Sequence, residues 1–247
     1  MSLDRIRLAS LHDKVISAEQ AATFIKDGMT VGMSGFTRAG EAKAVPLALV
    51  AQAQANPLKI TLITGASLGN DLDKKLTEAG VLARRLPFQV DNTLRKAINN
   101  GEVMFIDQHL SETVEQMRNL QLKKPDIAII EAVAITEDGG IIPTTSVGNS
   151  ASFAIFAEKV IIEINTNLSP AFEGLHDIYI PSYRPTRQPI PLTQIDERIG
   201  TQAINIDPSK IVGIVINSEL HDSPSTVTEP DDETQGIANH LIEFFEK

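Results

Sequence analysis

Three short stretches of this chain carry residue types that can do chemistry. The first is Thr30-Val31-Gly32-Met33-Ser34-Gly35-Phe36-Thr37-Arg38-Ala39-Gly40, a glycine-bearing turn after an apolar strand, with a helix starting near Val45-Pro46. Gly32, Gly35 and Gly40 admit backbone angles closed to other residues and let N–H groups approach an oxyanion, thioester or phosphate. Proline suits the first helical position, and the helix dipole there favours negative charge. Tight packing explains such a turn equally well, and on these residues alone packing is the first reading. The second stretch, Gly65-Ala66-Ser67-Leu68-Gly69, fits the G-x-S-x-G pattern of a nucleophile elbow. A serine hydrolase would complete it with Asp177 and then His221 or His240, which follow in the required order. No HGGG-like oxyanion segment is present and the next helix starts only after Asn70, so a structural or ligand-lining turn is favoured over a catalytic serine. The third stretch begins at Glu131, at the carboxyl end of the apolar run Ile127 to Ile130, where open sheets bind their ligands. That carboxylate could act as nucleophile or base, or it could cap a helix or pair with Arg84 or Arg85, and the two readings are evenly balanced. Beyond it, Glu137-Asp138-Gly139-Gly140 has the composition of a hairpin turn. Pro143 to Ser150 then offers hydroxyl and amide donors to an anion, or an N-cap at Asn149 or Ser150.

The elements that must position these residues are legible in the apolar pattern. Ser17-Ala18-Glu19-Gln20 has capping-box spacing, with Ala21, Phe24 and Ile25 at helical intervals and Gly28 as a stop. Then come the strand at Thr30, a helix from Pro46 to about Ala55, a strand Lys59 to Thr64, a helix after Asn70, and a strand-helix pair before Val103 to Ile106. Strands follow at Asp126 to Ile130, Lys159 to Ile164 and Ile211 to Ile216, with little alternation, as in strands covered on both faces. The pattern predicts an α/β fold with a mostly parallel sheet flanked by helices, residues 1–247 forming a single domain. Asn167 to Asp207, rich in proline, reads as a long ordered excursion. A polar acidic stretch after Pro224, from Thr226 to Glu233, precedes a last helix through Ile237, Leu241, Ile242, Phe244 and Phe245.

Composition bounds the function. The chain has 247 residues, 42% of them hydrophobic, no cysteine and a net charge of −10. That supports a sizeable core and excludes disulfides, thiol nucleophiles and cysteine-held metals. The acidic balance argues against nucleic acid and anionic membrane as partners, and no apolar run approaches the roughly 20 residues of a membrane span. With no signal segment at the N-terminus, a cytoplasmic location is expected. His12, His109, His176, His221 and His240 show no metal-ligand spacing, and neither a P-loop nor G-x-G-x-x-G occurs, so no metal and no permanently bound cofactor is expected.

Taken together and in order, VGMSGFTRAG, ITGASLGNDLD, LPFQVDNTLRKAINNGE, IDQHL, EAVAITEDGGIIPTTSVGNS, EKVIIEIN, EGLHDIY and RIGTQAI closely resemble the N-terminal half of the acetyl-CoA hydrolase/CoA-transferase family. The resemblance covers essentially the whole chain. It implies a CoA-transferase-type α/β domain and an enzyme that moves coenzyme A between short carboxylic acids, or hydrolyses acyl-CoA, through a glutamyl-CoA thioester. It implies that the nucleophilic glutamate and most CoA-binding residues lie in a C-terminal domain or subunit beyond this chain. No catalytic residue is therefore assigned here, and the chain alone is expected to be inactive and to self-associate. By resemblance, Ser34, Gly35, Phe36, Thr37, Ala39 and Gly40 approach the acyl group, while Gly65, Ala66, Ser67, Ser146, Val147, Gly148 and Asn149 line the same crevice; Glu131, a site candidate from its strand-end position, does not match the family's nucleophile. The substrates implied are a coenzyme A thioester and a short carboxylic acid. Arg38 stands where the family commonly has glycine, and Glu41-Ala42 where it usually has a proline. Asp222 lies in a segment that carries an arginine in acetate-specific relatives, so the acceptor acid is left open. A noncatalytic interaction domain and a G-x-S-x-G hydrolase are the alternatives.

Overall fold

The structure, a computed structural model, describes residues 3–222 and 227–246. Pro224 and Thr226, read above as the approach to the last helix, lie outside the described residues. Eight strands form one sheet: β1 Thr30–Met33, β2 Ile60–Thr64, β3 Leu82–Leu86, β4 Met104–Phe105, β5 Ile127–Ile135, β6 Ile141–Pro143, β7 Lys159–Asn165 and β8 Ile211–Asn217. Their order is β4-β3-β2-β1-β5-β7-β8, and every neighbouring pair on that path is parallel. The short β6 returns antiparallel on β5 through the turn predicted at Glu137 to Gly140. From β1 the chain winds outward through β2, β3 and β4, and from β5 it winds the other way through β7 and β8. The reversal between β1 and β5 is a topological switch point, and the carboxyl ends of those two strands open a crevice there.

The helices are α1 Ala18–Ala22, α2 Ala44–Ala55, α3 Leu72–Glu78, α4 Asn92–Asn99, α5 Leu110–Arg118, α6 Ser150–Phe156 and α7 Asp232–Phe245. All nine residues of β5 are buried, which is why this strand reads as an unbroken apolar run interrupted by one glutamate. Val31, Leu49, Leu62 and Ile129 pack on one face of the sheet, and Ile63, Ala128, Ile130 and Phe153 on the other. The capping box before α1 is formed: the Ser17 hydroxyl accepts from Gln20 N at 3.2 Å, and the Gln20 side chain accepts from Ser17 N at 3.0 Å. Gly32 serves packing, because a Cβ there would stand 2.9 Å from the Phe153 ring of α6. The excursion after β7 is tied to the body by the bridges Ile178–Thr201 and Ile141–Ile204. In α7 no residue is buried, and Ile237, Leu241, Phe244 and Phe245 are 54–79% exposed. Among the described residues no helix is long and apolar enough to cross a membrane.

Candidate functional site

The three glycine-bearing loops meet at the switch point. Ser34 to Gly40 follows β1, Gly65 to Gly69 follows β2, and Ser146 to Asn149 precedes α6. A Cβ added at Gly65 would sit 2.2 Å from the carbonyl oxygen of Gly35, and one at Gly40 would sit 2.7 Å from the Ser146 hydroxyl. Gly148 is at φ +48°, and a Cβ added there would stand 3.3 Å from the Phe36 Cβ, tighter than ordinary contact. The glycines are thus needed for loop-to-loop approach as well as for backbone angle. Ser146 Oγ donates to Ala39 O at 2.7 Å, and Ser34 Oγ donates to Gly40 O at 2.9 Å while accepting from Glu131 N. Thr37 and Arg38 both adopt positive φ, at 50° and 68°, so the tip of the first loop is held in a conformation that side chains rarely take. Phe36 and Thr37 project outward and, with Ala66, line a cavity of about 720 Å³ whose far wall is Phe88 and the start of α5. Gly35, Gly65, Ala66 and Ser67 are buried behind it.

Beneath the loops lies a charged layer. Lys43, with no exposed surface, places its ammonium against Glu131 in a short ion pair, 2.7 Å from Asp222 Oδ1 and 2.7 Å from the carbonyl of Glu41. Glu131 is 1% exposed and both its oxygens are engaged, one by Thr144 Oγ1 at 2.7 Å, the other by Lys43 and, at 3.4 Å, by Asn165. Glu163 stands opposite Glu131 in the β5–β7 register. Its carboxylate accepts the N–H groups of Lys43 and Ala44 at 2.9 Å and of Val45 at 3.2 Å. Asp222 Oδ2 accepts from Thr145 Oγ1 at 3.0 Å and from Gly40 N at 3.4 Å, which ties β8's exit to two of the loops.

Burial raises the Glu131 carboxyl from 4.5 to about 7 even though Lys43 opposes the shift. Burial likewise raises Glu41, and it raises Glu163 despite the three helix N–H groups that favour its anion. Burial alone would lower Lys43, but Glu131 and Asp222 overcome it and the ammonium is held charged. A carboxyl raised in the fold makes folding strongest below its unfolded value and weaker as pH climbs through the folded one. Stability is therefore expected to fall between about pH 5 and 8, and Glu131→Gln is expected to flatten that slope. Urea midpoints measured across this range check it; an unchanged slope in the variant would contradict the assignment.

Several expectations are corrected by this geometry. Helix α2 starts at Ala44, two residues before Pro46, and its N-terminus is occupied by the chain's own Glu163 carboxylate, so it offers no free anion site. Glu131 pairs with Lys43 and with neither predicted arginine; Arg85 is fully buried on Asp73 at 2.8 Å, and Arg84 donates to the Met104 sulfur. Asn149 precedes α6 without a side-chain cap. Asp177, the aspartate that the disfavoured hydrolase reading would need, accepts the N–H groups of Ile199 and Gly200, while His240 lies on α7 beside Glu243. Ser67 is followed by the Gly69–Asp71 turn before α3 starts, where an elbow requires the helix at once. Lys43, Glu163 and Asn165 were not singled out from sequence, and Glu41 only as a departure from the family's proline; an isolated glutamate inside each of two apolar strands was the available signal.

Fold and loops define an open α/β protein with its crevice at the switch point of a mostly parallel sheet. Solved structures share that fold: RipA from Yersinia pestis, with a TM-score of 0.66 at 16% identity over 95% of this chain and 49% of that one, and glutaconate coenzyme A-transferase from Acidaminococcus fermentans, with 0.56 at 14% identity over 83% and 76%. The family description "Acetyl-CoA hydrolase/transferase N-terminal domain" matches residues 2–216, and the chain belongs to that family. It is 42% identical to the succinyl-CoA:acetate CoA-transferase of Clostridium kluyveri, over 98% of this chain and 45% of that protein. It is 41% identical to the acetyl-CoA hydrolase of Schizosaccharomyces pombe, over 98% and 48%. The chain thus spans about half the length of the curated relatives it matches.

Proposed function

We propose that this chain supplies the N-terminal, acyl-facing half of an enzyme that transfers coenzyme A between short carboxylic acids or hydrolyses acyl-CoA. The observation that carries the reading is the mutual contact of the Ser34–Gly40, Gly65–Ser67 and Ser146–Asn149 loops, on a chain of this family. Backbone N–H groups at strand ends suit the charge that develops on a thioester oxygen during acyl transfer. Phe36, Thr37, Ala39 and Gly148 face the acyl group, while Ser34, Glu131 and Ser67 hold the loops from beneath. The glutamate that forms the acyl anhydride and then the thioester belongs to a C-terminal domain or subunit. The uncovered apolar side chains of α7 favour such a partner, or a second copy, over a self-sufficient unit.

The test is turnover of succinyl-CoA or acetyl-CoA with a panel of short carboxylates, for the chain alone and for the chain joined to a C-terminal half such as that of the C. kluyveri relative. Activity is expected only in the joined form; activity of the chain alone would overturn the reading. Ser67→Ala in the joined enzyme is expected to lower turnover only partly. Total loss, with a phosphonate label on Ser67, would favour the hydrolase instead.

A further inference from the structure

We infer that the acyl pocket of this chain selects short acyl groups with an uncharged tail, butyryl being the type, and turns away those that end in a second carboxylate. The inference rests on the transferase reading and narrows its substrate class. The pocket is the cavity of about 720 Å³ lined by Phe36 and Thr37 of the loop after β1, Ala66 of the loop after β2, Phe88 beyond β3, and Asp107 to Ser111 leading into α5. It opens at the carboxyl ends of three neighbouring parallel strands, where an open sheet presents its ligands.

The body of the cavity is apolar. Phe36 and Phe88 are 43% and 45% exposed, so both rings keep apolar surface that a bound chain can cover, and Ala66 and Leu110 add to it. Phe36 is held in place by paired backbone hydrogen bonds with Ala39, of 2.9 and 3.1 Å. Among the described residues no lysine or arginine lines the cavity; its titratable side chains are Asp107 and His109, and even a protonated His109 would only match Asp107. The Asp107 carboxylate is exposed and takes part in no hydrogen bond or ion pair among the described residues, so nothing on the protein compensates its charge. The cations of the adjoining segments are turned elsewhere. Arg38, next to Thr37, lines the separate hollow of Gly69, Asn70 and Lys74, and Arg118 and Arg187, in the neighbouring groove along α5, are ion-paired with Glu115. The remaining polar groups, Thr37, Gln108 and Ser111, are neutral, and the Gln108 amide already donates to Thr113 Oγ1 at 2.7 Å. A terminal carboxylate would thus lose water beside Asp107 with no cation to pair it, while an alkyl tail meets aromatic rings.

Steady-state kinetics of the joined enzyme, made with one C-terminal half throughout and with propionate as the common acceptor, give the test. Changes made on this chain's side then cannot be ascribed to the other half. The kcat/KM for butyryl-CoA is expected to exceed that for succinyl-CoA at least about ten-fold, since like charges brought together in a pocket are costly. Asp107→Lys removes the like charge and supplies a cation, and is expected to raise the succinyl-to-butyryl ratio about ten-fold. Phe88→Ala is expected to lower butyryl-CoA turnover about ten-fold and acetyl-CoA turnover by less, because apolar contact grows with the chain. Should Asp107→Lys fail to fold, Asp107→Asn takes its place, with a smaller rise. Succinyl-CoA used as well as butyryl-CoA, a ratio that neither Asp107 variant moves, or butyryl-CoA turnover untouched by Phe88→Ala overturns the inference while the transferase reading stands. No turnover of any thioester overturns that reading and the inference with it.

Discussion

Lys43→Met is expected to lower the unfolding free energy by about 3–5 kcal/mol, read from urea or guanidinium denaturation near pH 9, above the raised Glu131 value. The size follows from what is left behind. Lys43 is the ammonium on which Glu131 and Asp222 converge, and removing one partner of a buried ion pair leaves the other charge without compensation. Methionine fills most of the volume, so cavity formation contributes little and the loss reports the charge itself. The loss should shrink as pH drops toward 5, because Glu131 then takes up a proton and its need for a cation disappears. A loss below about 1 kcal/mol near pH 9, typical of an exposed ion pair, would show that the layer beneath the loops does not hold the fold together.

Gly65→Ala is expected to act on the loops directly. The new Cβ would sit 2.2 Å from the Gly35 carbonyl oxygen, a backbone atom that cannot rotate away as a side chain could. Separating the two loops is expected to cost about 1–3 kcal/mol. In an enzyme completed by its C-terminal half, a crevice misplaced by about 1 Å is expected to lose about 100-fold in turnover. Gly236→Ala is the matched control, since it lies within α7 with nothing within 4 Å of the added Cβ, and alanine favours a helix there. Equal effects of the two substitutions on denaturation and turnover would show that the contact between loops is dispensable.

The sequence announced the sheet well where strands are covered on both faces. Ile127 to Ile135, Lys159 to Asn165 and Ile211 to Asn217 are apolar because helices and β-neighbours surround them, and that composition survives in one dimension. The edge was harder to read: β3 carries Arg84 and Arg85 at its centre, and β4 is only two residues long. The glycine loops were visible because glycine is demanded by backbone contact. The charged layer was not, because its partners are far apart along the chain: Lys43 and Glu131 are 88 residues apart, and Lys43 and Glu163 are 120 apart. No local spacing encodes such pairs. For the same reason the start of α2 looked available to a ligand, when a glutamate from β7 had already filled it.

The enclosure of Lys43 has a chemical consequence. A thioester acylates whichever amine presents a lone pair, and an ammonium presents none. Held charged by Glu131 and Asp222 and shut away from solvent, Lys43 presents no lone pair to an acylating group. The exposed Lys74, which borders the Arg38–Asn70 hollow on the same loop face, is by contrast open to solvent. The fold thereby keeps a lysine beneath the loops while withholding its nucleophilicity.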